Sequence, residues 1–250
     1  MEDYCQLLMR QNGLPIHGTR MGRWLLGGVG PESIIPYYRG ILNGVKERVG
    51  KPFLPPLTIE SLSCFEVIRM SSEGDTDGLT AYLLSGIKHL AAAGAEVGAL
   101  ACNTGHLVFD ALQKESSIPL VSIVEASCAE AVRHGYSKVG LMGTAATMEE
   151  DFFKAPFRKA GIEVVMPHAE ERAYIADHIL NELEIGIVSE QTAAHVLQIM
   201  ERMATEQQIE GMVLGCTELP LLFEGRTTLV PVLDTMQIHI KTLIDTIMEE

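Results

Sequence analysis

The chain contains no run of eighteen or more apolar residues, the length a helix needs to cross the hydrocarbon core of a bilayer. Its opening, Met1-Glu2-Asp3-Tyr4-Cys5, is acidic and lacks the charged-then-apolar layout of a secretory signal, so a cytoplasmic protein is expected. Positive charge is scarce: 19 Lys and Arg stand against 33 Asp and Glu, a net charge of −14. That balance argues against a nucleic-acid or anionic-membrane surface. It also works against long-range capture of an acidic ligand, which would need a local cluster of donors. The paired spacings that hold metals are missing. There is no C-x-x-C among the five cysteines and no H-x-x-x-H or H-E-x-x-H among the eight histidines, so neither a zinc site nor a thioredoxin-like motif is expected. Gly27-Gly28-Val29-Gly30 misses the G-x-G-x-x-G register of dinucleotide binding. With an odd cysteine number and wide spacings, reduced thiols fit best.

What the chain has is a regular alternation. Its 250 residues, 47% of them apolar, suffice for one large domain or two compact ones. Residues 1–20 read as an extension without strong periodicity. A first strand is expected at Arg23–Leu26, running into a glycine-rich turn and a helix that Pro31 suits as a first-turn residue. Short apolar runs then recur at 57–59, 97–101, 120–123, 138–142, 163–166, 212–214 and 229–232. Helices are expected between them, notably 78–93 (stopped by Gly94), 175–184 and 192–205. Strand–helix alternation of this kind specifies an α/β fold with parallel sheets.

The alternation also repeats itself. Leu25-Leu26-Gly27-Gly28 resembles Leu141-Met142-Gly143-Thr144, and the run ending in Ala101-Cys102-Asn103-Thr104 resembles the run ending in Gly215-Cys216-Thr217. Gly27 to Gly143 is 116 residues and Cys102 to Cys216 is 114, nearly one offset. Two motif pairs at one offset suggest two similar halves. In each, a cysteine follows directly from a buried-type strand, and ligands of open α/β sheets bind at the carboxyl ends of strands. Facing halves would set Cys102 and Cys216 on opposite walls of one cleft. Inversion at a carbon needs a proton removed from one face and another delivered to the opposite face. Two opposed thiols suit that task, since a thiol titrates near ~8.5 and a helix N-terminus favours its thiolate.

Ala101-Cys102-Asn103-Thr104-Gly105-His106 and Leu214-Gly215-Cys216-Thr217-Glu218-Leu219-Pro220 resemble the two signatures of the aspartate/glutamate racemase family. Gly27–Ser33 is similar to its N-terminal glycine turn, Leu141–Met148 to its second-half turn and Pro231–Thr235 to the segment before its last helix, so the resemblance covers roughly residues 22–248. It implies two similar parallel-sheet, Rossmann-like α/β subdomains related by a pseudo-twofold, with the active site in the cleft between them. The first would comprise residues 21–119 plus 235–250 and the second 120–234. It also implies no pyridoxal phosphate, no metal and a homodimer. Carried over, Cys102 and Cys216 are the acid/base pair. Asn103, Thr104, Thr144, Thr147 and Thr217 would hold the α-carboxylate and amino group, with Glu218 orienting the site. The cations that would grip a side-chain carboxylate are not obvious here. Arg172 is the substitute, with Arg39 and Arg69 behind it. Cys5, Cys64 and Cys128 read as structural. The implied reaction is cofactor-independent racemisation of L-aspartate to D-aspartate. Alternatives are a glutamate or broad-specificity racemase, a hydantoin racemase of the same superfamily, and a catalytically silent member that binds a ligand or protein.

Overall fold

The computed structural model describes residues 23–29, 31–50 and 53–248, with side chains from Glu32 onward. The expected extension at 1–20 lies outside the described residues, as does Gly30 of the glycine-rich turn. Among the described residues no helix is long and apolar enough to cross a membrane.

Two four-stranded parallel sheets organise the chain. The first contains β1 (Arg23–Val29), β2 (Leu57–Leu62), β3 (Ala95–Ala101) and β4 (Leu120–Val121), in the order β2-β1-β3-β4. The second contains β5 (Lys138–Gly143), β6 (Glu163–Val165), β7 (Gly211–Gly215) and β8 (Val232–Asp234), in the order β6-β5-β7-β8. The two orders are the same once 4 is subtracted from each label of the second. The repeat seen in the sequence is therefore a repeat of topology: β3 and β7 are equivalent strands, and Cys102 and Cys216 follow their ends. β4 pairs with β3, so the first sheet ends at Val121, just beyond the boundary at 119/120 drawn from the sequence.

Helices cover both faces of each sheet, which is why the strands read as continuous apolar runs. In the first half these are α1 (Pro31–Val49), α2 (Cys64–Glu73), α3 (Thr76–Ala92) and α4 (Phe109–Glu115). Leu100 faces the cluster of Val67, Leu79, Leu83 and Leu112, while Ala99 and Ala101 face Tyr37, Ile41 and the final helix. In the second half α5 (Ile123–Arg133), α6 (Ala145–Glu149), α7 (Asp151–Lys159), α8 (Ala169–Asn181) and α9 (Glu190–Glu206) do the same. Met142, Met212 and Leu214 face α8 and α9, and Leu141 and Val213 face α5 and α7. Each such fully buried Leu contributes about 1.5–3 kcal/mol relative to exposure. The chain ends in α10 (Thr235–Met248), which returns to the first half: Ile240 and Ile244 sit against Gly40 and Gly44 of α1.

Several expectations shift in detail. The strand expected at 229–232 forms at Val232–Asp234, because Pro231 has no N–H to give the ladder and contributes only its carbonyl, to Met212 N–H at 2.9 Å. The first half does the same with Pro119 and Gly98 N–H, also at 2.9 Å. Helix α2 was not anticipated. It buries Cys64, Val67 and Met70, spaced three apart, beginning at an N-cap Ser63 that makes no side-chain capping bond. The helix expected from 175 starts at Ala169, six residues sooner, under a His168–Glu171 capping box.

Candidate active site

At the C-terminal ends of β5 and β7, Gly143 and Gly215 lie opposite one another in the ladder. A Cβ on Gly143 would stand 2.7 Å from the Gly215 carbonyl oxygen and 3.0 Å from the Thr147 methyl. Only hydrogen fits, and this close approach fixes the backbone that carries Cys216. Thr144 then caps α6: extended, with its hydroxyl accepting from Thr147 N–H at 3.3 Å.

In the first half, Cys102 leads into a short 3₁₀ turn, Thr104–Val108, whose Thr104 and Gly105 N–H groups point at the thiol. His106 fastens this turn. Its Nδ1 bonds the Cys102 carbonyl oxygen at 2.9 Å and its Nε2 accepts from Ile123 N–H, the first residue of α5, at 3.2 Å. Burial pushes the imidazole pKa down to about 4, so it is neutral and its tautomer is fixed by these two bonds.

The halves meet around one cleft lined by Cys102, Asn103, Thr104, Thr144, Cys216, Thr217 and Glu218, as the sequence proposes, and also by Gly215, Cys64, Val67, Ile68 and Glu184. Thr104 and Thr144 bridge it, hydroxyl to hydroxyl at 2.9 Å. Asn103 donates from Nδ2 to Thr235 Oγ1 at 3.1 Å, and Thr235 donates onward to the Leu214 carbonyl at 2.7 Å. That relay fixes the amide orientation, because the Thr235 hydroxyl has spent its proton and can only accept from Asn103. Asn103 Oδ1 is thus left as a buried acceptor without a partner. Cys216 donates its thiol proton to Glu218 Oε2 at 3.1 Å, and Thr217 donates to the same oxygen at 2.7 Å. Ser33 also bonds the Glu218 carboxyl, whose Oε1, like Glu184 Oε2, is buried without a close partner. The enclosed space is about 10 Å³, room for a single water. This form of the cleft is therefore too tight for an amino acid, and it must widen to admit one.

Other expected site residues lie elsewhere. Thr147 is fully buried behind Thr144, 3.0 Å from its hydroxyl, and does not line the cleft. Arg172 is not at the cleft either. Its Nη1 donates to the Pro167 carbonyl at 3.0 Å and its Nε lies 3.9 Å from Glu149. Arg69 is committed to Glu66 and Glu73 on the outside of α2, and Arg39 is exposed. Among the described residues, no Arg, Lys or His lines the cleft.

Cys64 and Glu184 are the residues that sequence reasoning missed. Glu184 sits in a 3₁₀ turn, Leu183–Ile185, with only 7% of its surface exposed. One carboxylate oxygen of Glu184, one of Glu218 and the Cys216 thiol lie within 4.8 Å of one another, close enough to feel one another's charge or to hold one divalent cation. Burial and the facing Glu218 raise Glu184 to about 8, and burial raises Glu218 as well. The thiols depart from expectation in the same direction. Burial lifts Cys102 to about 12 against the pull of the Gly105 and Thr104 N–H groups. Burial, then Glu218 and Glu184, lift Cys216 well above the usual thiol range. Turn N–H groups favour a thiolate, but desolvation outweighs them here. In the closed cleft both thiols are protonated.

The sequence matches the family described as Asp/Glu/Hydantoin racemase over residues 26–243. It is 22% identical over 227 residues to the broad specificity amino-acid racemase RacX of Bacillus subtilis (strain 168), covering 89% of this chain and 96% of that one. Among solved structures, an aspartate racemase homologue from Pyrococcus horikoshii OT3 is 35% identical, with a TM-score of 0.76 over 91% of this chain and 99% of that one. The Picrophilus torridus aspartate racemase, at 18% identity, shares the fold with a TM-score of 0.71 over 90% of this chain and 93% of that one.

Proposed function

The chain belongs to the Asp/Glu/hydantoin racemase family, and from that premise we propose that it inverts the α-carbon of a free amino acid without a cofactor, using Cys102 and Cys216 as opposed acid and base. One observation carries the reading: two cysteines at topologically equivalent strand ends line the same cleft from opposite halves.

The surrounding groups suit a zwitterion. The bridging hydroxyls of Thr104 and Thr144 can turn to an α-carboxylate once the cleft widens. Asn103 Oδ1 and Glu218 Oε1, both unpartnered, accept from the α-ammonium. Glu218 already receives the Cys216 thiol proton, so it is placed to take that proton and leave a thiolate. An ammonium in the cleft offsets the burial that holds the thiols neutral. The thiolate removes the α-hydrogen, the electron pair is held on the α-carbon and its carboxylate, and the opposite thiol returns a proton from the other face. The two cysteines finish with their protonation states exchanged, which is the starting state for the reverse reaction.

Aspartate is the side-chain expectation from the sequence. Relatives are named for aspartate, for glutamate and for broad specificity, so what they share is chemistry at the α-carbon. Side-chain preference rests on this chain's own cleft residues. A homodimer in the cytoplasm completes the reading. Chiral chromatography of a panel of free amino acids, with and without chelator and pyridoxal phosphate, tests the activity. Turnover indifferent to both additives is expected, and no turnover of any amino acid moves the reading to a silent ligand-binding or hydantoin-acting member.

A further inference from the structure

Two buried carboxyls stand next to Cys216 with no positive charge beside them. Glu184 and Glu218 are 7% and 2% exposed, and among the described residues no Arg, Lys or His lines their cleft. Buried carboxylates are paired with a cation or ligate a metal unless protons neutralise them. Glu184 Oε2 and Glu218 Oε1 are buried acceptors without a close partner. Both carboxyls are also steadied from behind: Thr217 and Ser33 bond Glu218, and the Cys64 thiol bonds Glu184. Neighbours that do not touch the ion hold metal-ligating carboxylates in this way.

We propose that Cys216, Glu218 and Glu184 form a site for a thiophilic divalent cation of the Zn²⁺ class, and that filling it switches the racemase off. A carboxylate oxygen from each glutamate and the Cys216 thiol lie within 4.8 Å of one another. Ligand atoms about 2.0–2.3 Å from a tetrahedral zinc stand roughly 3.5 Å apart, so side-chain shifts of roughly 1 Å close the set. The sulfur favours zinc over magnesium or calcium, which are held by oxygen ligands alone. The fourth position is left to water. An ion fits where an amino acid does not, since the closed cleft has room for a single water. On binding, the thiol and carboxyl protons pass to solvent and a bond forms between the Cys216 sulfur and the metal. Cys216 can then neither take nor return an α-proton, and Glu218 is lost to the α-ammonium. The switch rests on the racemase reading, whereas the site itself does not.

Chelator-treated full-length protein is titrated with Zn²⁺ in competition with a chromogenic chelator, and with Co²⁺ followed by absorption. A single ion per chain is expected, with a thiolate-to-cobalt charge-transfer band and the intense visible bands of tetrahedral cobalt. Cys216→Ser should remove the charge-transfer band, and Glu184→Gln should weaken Zn²⁺ binding by at least about tenfold. Exchange of the α-proton in deuterated water, across a panel of free amino acids, should fall in step with Zn²⁺ occupancy and return on chelation. Without added cation, chelator is still expected to change nothing. No Zn²⁺ binding to wild type, or cobalt bound without the thiolate band, overturns the site with no variant needed to fold. A band that survives Cys216→Ser, or a Zn²⁺ affinity that Glu184→Gln leaves unmoved, overturns it as well. A filled site with undiminished exchange overturns the switch. Absence of exchange in the ion-free protein overturns the racemase reading, and with it the switch, while a thiolate band lost in Cys216→Ser still upholds the site.

Discussion

Replacing Glu184 with glutamine should stabilise the protein, and by an amount that grows with pH. The ordinary glutamate value is 4.5 and the buried carboxyl is raised to about 8 by burial and by Glu218. Between those values the folded chain keeps a proton that the unfolded chain has released. The folded state therefore loses stability as pH rises, fully retaining it below 4.5 and no longer losing it above 8. The slope is about 1.4 kcal/mol per pH unit for one proton. Across pH 5 to 7.5 this amounts to about 3 kcal/mol, comparable to breaking a buried ion pair. The amide cannot titrate and keeps the shape, so the variant lacks this loss. Urea unfolding of both proteins, in chelator-treated buffers from pH 5 to 8, reads the effect as a difference, because carboxyls remote from Glu184 contribute equally to each. Near-equal stability at pH 5 and a gap widening to about 3 kcal/mol by pH 7.5 are expected. A gap that stays constant with pH would refute the argument that Glu184 is held protonated by its surroundings.

Gly143→Ala should destabilise by about 1–3 kcal/mol and slow turnover, because the new methyl meets the Gly215 carbonyl next to Cys216. Chemical melts and kcat report the two effects separately. His106→Phe keeps the stacking on Phe109 but strands the Cys102 carbonyl and the Ile123 N–H. A loss of about 2–4 kcal/mol in unfolding free energy is expected, and unchanged stability would mean the two bonds are dispensable. Thr144→Val removes the hydroxyl that bridges to Thr104 and caps α6. It should raise KM more than it lowers kcat, the sign of a lost binding contact rather than a lost proton-transfer group.

Much of the frame was legible before any coordinates. Strands buried on both faces leave continuous apolar runs, so β3, β5 and β7 stood out within a residue or two. The near-constant offset between the two glycine and two cysteine motifs revealed the duplication, because equivalent strand ends each need a small residue, Ala101 or Gly215, before the cysteine. Glu184 and Cys64 left no such signal. Each is an ordinary residue in an ordinary stretch, and only the packing of α2 and the turn at Leu183–Ile185 against the opposite half brings them to Cys216. Thr235 was hidden for a related reason, as its hydroxyl matters only because α10 begins where Asn103 and Leu214 converge. Arg172 misled because charge type can be read from a sequence but direction cannot: its guanidinium turns to Pro167 and Glu149. The thiol pKa values misled because backbone N–H groups are visible in the motif, whereas desolvation depends on how tightly the halves close.

The central claim is that each thiol serves one face of the α-carbon. Single replacements Cys102→Ser and Cys216→Ser keep the shape and remove the acid of suitable strength. With folding confirmed by circular dichroism, each variant is incubated in deuterated water with the separate enantiomers of the best substrate, and α-deuterium is followed by NMR. The account predicts that neither variant racemises, that each labels at most one enantiomer, and that the two variants label opposite ones. Near-normal racemisation by either variant, or labelling of both enantiomers by one of them, would contradict it.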